Sequence, residues 1–583
     1  MKNAATTPGS REREETSLSL AQLSDAYWAF RIREFPVEAS GAGISSADAL
    51  MDGAAAEDHV RRARECRAML RRADAIVATD LADGDLITFQ LLRGQLELIV
   101  EEHDCDAPYR PALFPLGFID VPMMLAQQTP LVTFEQRETF AQRLGAVPRF
   151  LDDSFAVLKE GFERGYRLPR ALVPRLLSSL DAYVHSGLEE ALAKSLAADI
   201  PGVEASELTR QRERILVIVR KRIGPILREL RDAIQAFGDR ELCDSPSLAD
   251  QPGGREFYRH KIREQTSRDL DPDAVHELGL TEIARIQGEL DEVLKAMGRA
   301  GEREAVAREF DSRVANDRGA LLTETRAIAK RIDGLLPRLF GMMPRITYGV
   351  EQMTPEQSAS LPPAYAQPAP ADRTLPGIYW LTALPNKCPL YLLIPLTLHE
   401  AWPGHLMQMA LAHELADLPE FRRYGWAYYN GYVEGWALYC ERLGHELSLY
   451  TDPHDHFGLL TLELWRAARL VVDTGIHWKQ WTRDAAINYM AANTFLPAET
   501  IESEVDRYIG MPAQALSYKI GERTISDLRQ RGSQELGRDF SLRRFHDHVL
   551  SLGPVSLAAL EAETDRWIAR SKVMTEPPER QSS

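Results

Sequence analysis

The chain has 583 residues, a formal net charge of −17 and five cysteines. That length can bury a large core and wrap a deep cleft, while so acidic a balance argues against nucleic acid and anionic membrane surfaces, which select a basic footprint. An odd number of cysteines without a Cys-x-x-Cys pair fits a reducing compartment better than a disulfide framework or a thiolate metal site.

Taken in order, residues 1–17 and 577–583 read as disordered tails. No apolar stretch of signal-peptide or membrane-span length stands out, so a cytoplasmic protein is expected. Residues 18–250 read as an N-terminal helical domain. It has a loop at 38–44, amphipathic helices within 58–99, a Pro/Gly break at 107–121 and helical periodicity over 133–162 and 169–197. A long helix over 205–237 is expected to kink at Gly224-Pro225. The Ser, Pro, Gly and Asp of 245–254 mark the boundary to a second domain, 251–576, in which Asp271 is placed to N-cap a helix with Pro272 at its first position. Only one region reads as sheet: 346–353, the neighbourhood of Ala364, and 377–384, with the β-branched and aromatic content of short strands. The fold class expected is therefore mostly α with one small β-sheet. An exposed strand edge there would suit an extended peptide held by main-chain hydrogen bonds.

Directly after the sheet comes Leu396-Thr-Leu-His-Glu-Ala-Trp-Pro-Gly-His405, two histidines and a glutamate in an apolar run where their burial demands partners. The nearest template is His-Glu-x-x-His, whose histidines share a helix face and bind zinc while the glutamate acts as base. His399 and His405 are instead six apart, and at about 100° per residue an unbroken helix would turn them away from each other. Pro403 and Gly404 are the residues most able to break the ladder, and a bend there would return His405 to the face of His399. The competing reading has His399 and Glu400 paired with buried partners and His405 capping a broken helix.

Downstream, Gly431-Tyr-Val-Glu434-Gly-Trp-Ala-Leu-Tyr-Cys-Glu441 puts two glutamates on one helical face, and Gly431 and Gly435 would let that helix approach another closely. Glu434 is the expected third metal ligand and Glu441 a group that orients an imidazole; the alternative for both is an internal Glu-to-Arg bridge. In the next helix Arg469 and Asp473 can neutralise each other at i, i+4, and His477 ends the same stripe, placed to donate to a carbonyl or an oxyanion. In Arg507-Tyr508 to Lys519, Tyr518 is the expected donor to a polarised carbonyl, with Tyr508 behind it, against the alternative of core tyrosines with satisfied hydroxyls.

These stretches, with His276-Glu-Leu-Gly279, Leu398 to His405 with Gln408, Glu434 to Glu441, Arg469 to His477 and 508–521, resemble the family called domain of unknown function 885, whose members are similar to gluzincin metallopeptidases. The resemblance covers most of the chain, more weakly before residue 250. It implies a multi-helical clamshell around a deep cleft, with zinc held by His399, His405 and Glu434 and with Glu400 as base. Two positions depart from the family pattern: Leu406 stands where a second histidine is common, and Ala513 interrupts Pro-Gly-Gln, a mild change unless the backbone needs a positive φ.

The function expected is hydrolysis of an amide or peptide bond in a short peptide or peptide-like small molecule. One zinc ion per chain and Glu400 would activate water, with Tyr518 or His477 on the oxyanion. Two rivals share the sequence: a dedicated amide hydrolase of a biosynthetic pathway, and a non-catalytic binding or scaffold protein that keeps the pocket.

Overall fold

In the computed structural model the described residues are 8–370 and 375–575. They are mostly helical, with two small sheets. They fall into two compact units. The first comprises the described residues of 8–260 with Gly475–Ala486 and Glu502–Pro512; the second comprises those of 261–474 with Ile487–Ile501 and 513–575.

In the first unit a helix covers Pro8–Glu34, so residues 8–17 are not the disordered tail expected. Proline suits a first helical position, and Ser17 Oγ donates to Asp85 at 2.7 Å, tying the segment down. The remainder of that tail, and the other one at 577–583, lie outside the described residues. The expected loop at 38–44 is half helix, Pro36–Gly41, and turns only at Gly43, whose φ is 86°. Where a kink was expected, Ala205–Ile218 and Gly224–Gln235 are joined by a π turn, Val219–Ile223. One wider turn absorbs the hydrogen bond that Pro225 cannot make. Strands β1 (Leu168–Pro169) and β2 (Leu242–Cys243) pair in parallel, each too short to carry a period.

The second unit opens as the sequence predicts: Asp271 accepts from the N–H groups of Asp273 and Ala274 and caps Pro272–Ala296. Its sheet has β3 (Tyr348–Gln352), β4 (Ala364–Gln367) and β5 (Gly377–Leu381) in the order β3-β5-β4, with β5 parallel to β3 and antiparallel to β4. Alternation along β5 buries Gly377, Tyr379 and Leu381.

Helices Asn430–Arg442 and Ser517–Leu536 meet through glycines. A Cβ on Gly435 would lie 2.4 Å from Gly521 Cα, and one on Gly521 would lie 1.8 Å from the Gly431 carbonyl oxygen. Only bare backbone fits there, so this contact fixes the glutamate-bearing helix against the one that carries Tyr518. Among the described residues no helix is long and apolar enough to cross a membrane.

Candidate metal centre

The motif is two helices with a break between them: Leu393–Glu400 and His405–Glu414. Pro403 offers no N–H to the His399 carbonyl, so the first helix ends. The Trp402–Pro403 peptide is cis, and the Trp436 indole N–H donates to the Pro403 carbonyl at 2.9 Å, pinning the turn. A Cβ on Gly404 would fall 1.9 Å from the His399 carbonyl oxygen, so the break requires glycine at that position.

This bend brings the two imidazoles together, ring centroids 4.8 Å apart and planes at 90°. Glu434, from Asn430–Arg442, completes the group. Its Oε2 lies 3.7 Å from His399 Nε2 and 3.4 Å from His405 Nε2. The three ligand atoms are all within 4.8 Å of one another. Donors at the corners of a zinc tetrahedron, 2.0–2.1 Å from the ion, are roughly 3.3 Å apart. The two glutamate–imidazole distances lie within a few tenths of an ångström of that spacing. Glu434 Oε2 is buried with no hydrogen-bond partner among the described residues, a costly state that a bound cation would relieve.

His399 Nδ1 bonds Glu441 Oε1 at 2.8 Å, and Glu441 is fully buried. Arg466 Nη2 is 4.0 Å from the same oxygen. Glu441 thus both orients an imidazole and faces an arginine, uniting its two expected roles. Burial alone would depress the His399 imidazole, yet the Glu434 and Glu441 carboxylates hold it up at about 9. Burial would raise the Glu434 carboxyl, but the two imidazoles hold it far below the usual range. Glu400 is half-buried at the end of its helix, and its charge is felt at both His399 and the Tyr379 phenol.

The family model described as "Bacterial protein of unknown function (DUF885)" matches residues 36–563. The chain belongs to this family. Two solved structures are similar. A "putative lipoprotein" from Colwellia psychrerythraea has a TM-score of 0.87 and 26% identity over 96% of this chain and 100% of that one. A "putative lipoprotein of unknown function" from Shewanella oneidensis has a TM-score of 0.70 and 18% identity over the same shares, a likeness of fold alone. No curated protein matches the chain.

The remaining expected site residues of this DUF885 protein divide. Tyr518 is half-buried in the second unit, its ring 4.4 Å from the Arg469 guanidinium, which also lies 4.3 Å from the Trp465 ring. Both Asp473 oxygens accept the Ala513 N–H, at 3.0 and 3.1 Å. Ala513 has φ 66°, so glycine's departure from this position is not mild: a left-handed alanine costs about 1–2 kcal/mol, and the Asp473 bonds hold the turn closed. Tyr508 is fully buried in the first unit and donates to Glu504 at 2.8 Å.

His477 takes one of its two expected roles, donation to a carbonyl, and not the other. Its Nε2 donates to the Tyr508 carbonyl at 2.9 Å, and its Nδ1 accepts the Leu248 N–H at 3.4 Å. Both nitrogens serve backbone groups of the first unit, leaving no proton for an oxyanion. Burial pushes the ring down to about 4, and the Tyr508 bond only partly offsets this. The sign follows: an unfolded chain takes up this proton near 6.5 while the folded one refuses it, so stability present above that value is lost as pH falls toward 4. Between pH 7 and 5 the contribution falls by about 2 kcal/mol. Denaturant titrations of His477→Gln should show a stability that falls that much less over the same interval; parallel slopes would contradict the assignment.

Two residues that matter were assigned no role. Gln408 was named only with the motif it follows and given no role; its signal is a lone amide in Met407-Gln-Met409 one turn after His405. Nothing in the spacing of Trp436 reveals its bond to Pro403.

Proposed function

We propose that this protein is a zinc-dependent hydrolase that cleaves an amide or peptide bond in short peptides or peptide-like metabolites. The observation that carries this reading is the buried Glu434 oxygen, without a hydrogen-bond partner among the described residues and facing two imidazole nitrogens at 3.4 and 3.7 Å. Zinc held by His399, His405 and Glu434 would supply Lewis acidity, making water acidic near neutral pH and polarising a carbonyl. Glu400, next in sequence to His399, takes a proton from the water as its oxygen bonds the carbonyl carbon. The same carboxyl gives that proton to the nitrogen as the carbon–nitrogen bond breaks. Glu441 keeps the His399 Nδ1 proton in place and so fixes which nitrogen faces Glu434. Tyr518 donates to the oxyanion, its ring braced by Arg469.

Exposure of the three side chains is 4%, 9% and 18% for His399, His405 and Glu434. A recessed bond-breaking site favours short chains over folded proteins. The location that goes with this reading is the cytoplasm, where thiols such as the five free cysteines stay reduced. Amine release from a random library of short peptides and N-acyl amino acids tests the reading. Zinc-loaded protein should release amine and chelator-treated protein should not; a zinc-replete protein that leaves the whole library intact contradicts it.

A further inference from the structure

His405 and Gln408 present buried polar atoms that the chemistry above does not use. Nδ1 of His405 and both amide atoms of Gln408 are buried with no hydrogen-bond partner among the described residues. The residues are 7% and 4% exposed. They stand at i and i+3 in His405–Glu414, and therefore on one face of that helix. The other histidine of the cluster has its Nδ1 answered directly by Glu441; among the described residues no carboxylate does so for His405 Nδ1. Leu406, next in sequence, supplies no polar group. Its Cδ2 is packed 2.9 Å from where a Cβ on Gly377 would stand. The Gln408 amide faces the Tyr432 phenol without reaching hydrogen-bond geometry, and that phenol donates to the Val549 carbonyl at 3.0 Å.

A buried amide unanswered at both ends is destabilising, and interior waters answer such groups with about three hydrogen bonds each. We propose that Gln408 is a positioning residue which orients His405 through one buried water. The water accepts the His405 Nδ1 proton and donates to Gln408 Oε1, with the Tyr432 phenol oxygen as third partner. With its proton held on Nδ1, His405 presents the Nε2 lone pair toward Glu434, where a cation is bound most tightly. This inference rests on the zinc reading of the same cluster.

The test is zinc affinity of the full chain, measured by competition with a chromophoric chelator, alongside thermal melts of the metal-free protein. Gln408→Leu should bind zinc about 10–100-fold more weakly, the range for lost outer partners of a ligand. Its metal-free melting temperature should stay level or rise, because an unanswered amide has been replaced by an apolar side chain of similar size. Gln408→Glu keeps an acceptor and should restore most of the affinity. Gln408→Met reads the same loss if the leucine variant does not fold. Affinity of the apolar variants within about twofold of the parent, where loss of such a partner predicts tenfold or more, overturns the proposal while leaving the zinc reading intact. A parent protein that binds no zinc overturns both.

Discussion

Glu400→Gln should keep zinc bound and lose about 10²–10⁴-fold in turnover, the usual contribution of a positioned general base. The substitution preserves size and removes only the ability to take a proton. Glu400 is not among the three converging ligand atoms, which come from His399, His405 and Glu434, so metal content should match the parent. Its half-buried position at the end of Leu393–Glu400 makes an isosteric amide tolerable to the fold. Single-turnover rates on any library peptide that the parent cleaves, together with zinc content, check this. Retained turnover would remove Glu400 from the role of base, and lost zinc would make it a ligand.

Lys519→Met should destabilise the protein by about 3–5 kcal/mol, as expected when one partner of a buried ionic network is removed. Lys519 is fully buried next to Tyr518 in sequence, with Nζ 2.7 Å from Glu463, 2.8 Å from Glu522 and 3.1 Å from Glu282. Arg285 reaches Glu463 at 2.6 Å and Glu282 at 2.8 Å, and Arg442 reaches Glu463 at 2.6 Å. Burial would raise the Glu463 carboxyl, but Lys519, Arg442 and Arg285 together hold it far below its usual range. Without the ammonium, Glu522 and Glu282 remain buried with less compensation, which is the source of the penalty. Denaturant unfolding should show it, and Lys519→Met combined with Glu522→Leu should recover part of the loss, because the orphaned charge is removed with its partner. A single-variant loss under about 1 kcal/mol, the range of exposed pairs, would show that the network does not hold this helix.

What was legible in the sequence was local. Asp271-Pro272 announces a cap, β-branched and aromatic runs announce β3 and β5, and Pro403-Gly404 announces a broken helix, because each depends on rules that act within a few residues. Gly431 and Gly435 likewise announced a close helix contact, though not that Gly521 was on the other side. Most of what spacing could not report depended on distant partners. His477 looked like a donor at the end of a polar stripe, and its use is decided by Leu248 and Tyr508, 229 and 31 residues away. Lys519 meets Glu463 across 56 residues, a pairing that no spacing rule reports. The π turn at Val219–Ile223 was read as a kink, because both answer the same missing proline N–H and only the backbone distinguishes them.

The central claim is that His399, His405 and Glu434 are arranged to hold an ion. Metal analysis of protein purified without chelator, run beside Glu434→Ala, tests it most directly. The arrangement predicts about one zinc per chain in the parent, as for a single three-ligand site, and its loss in the variant. A parent that carries no zinc even after zinc is added, or a variant that retains it in full, would contradict the account.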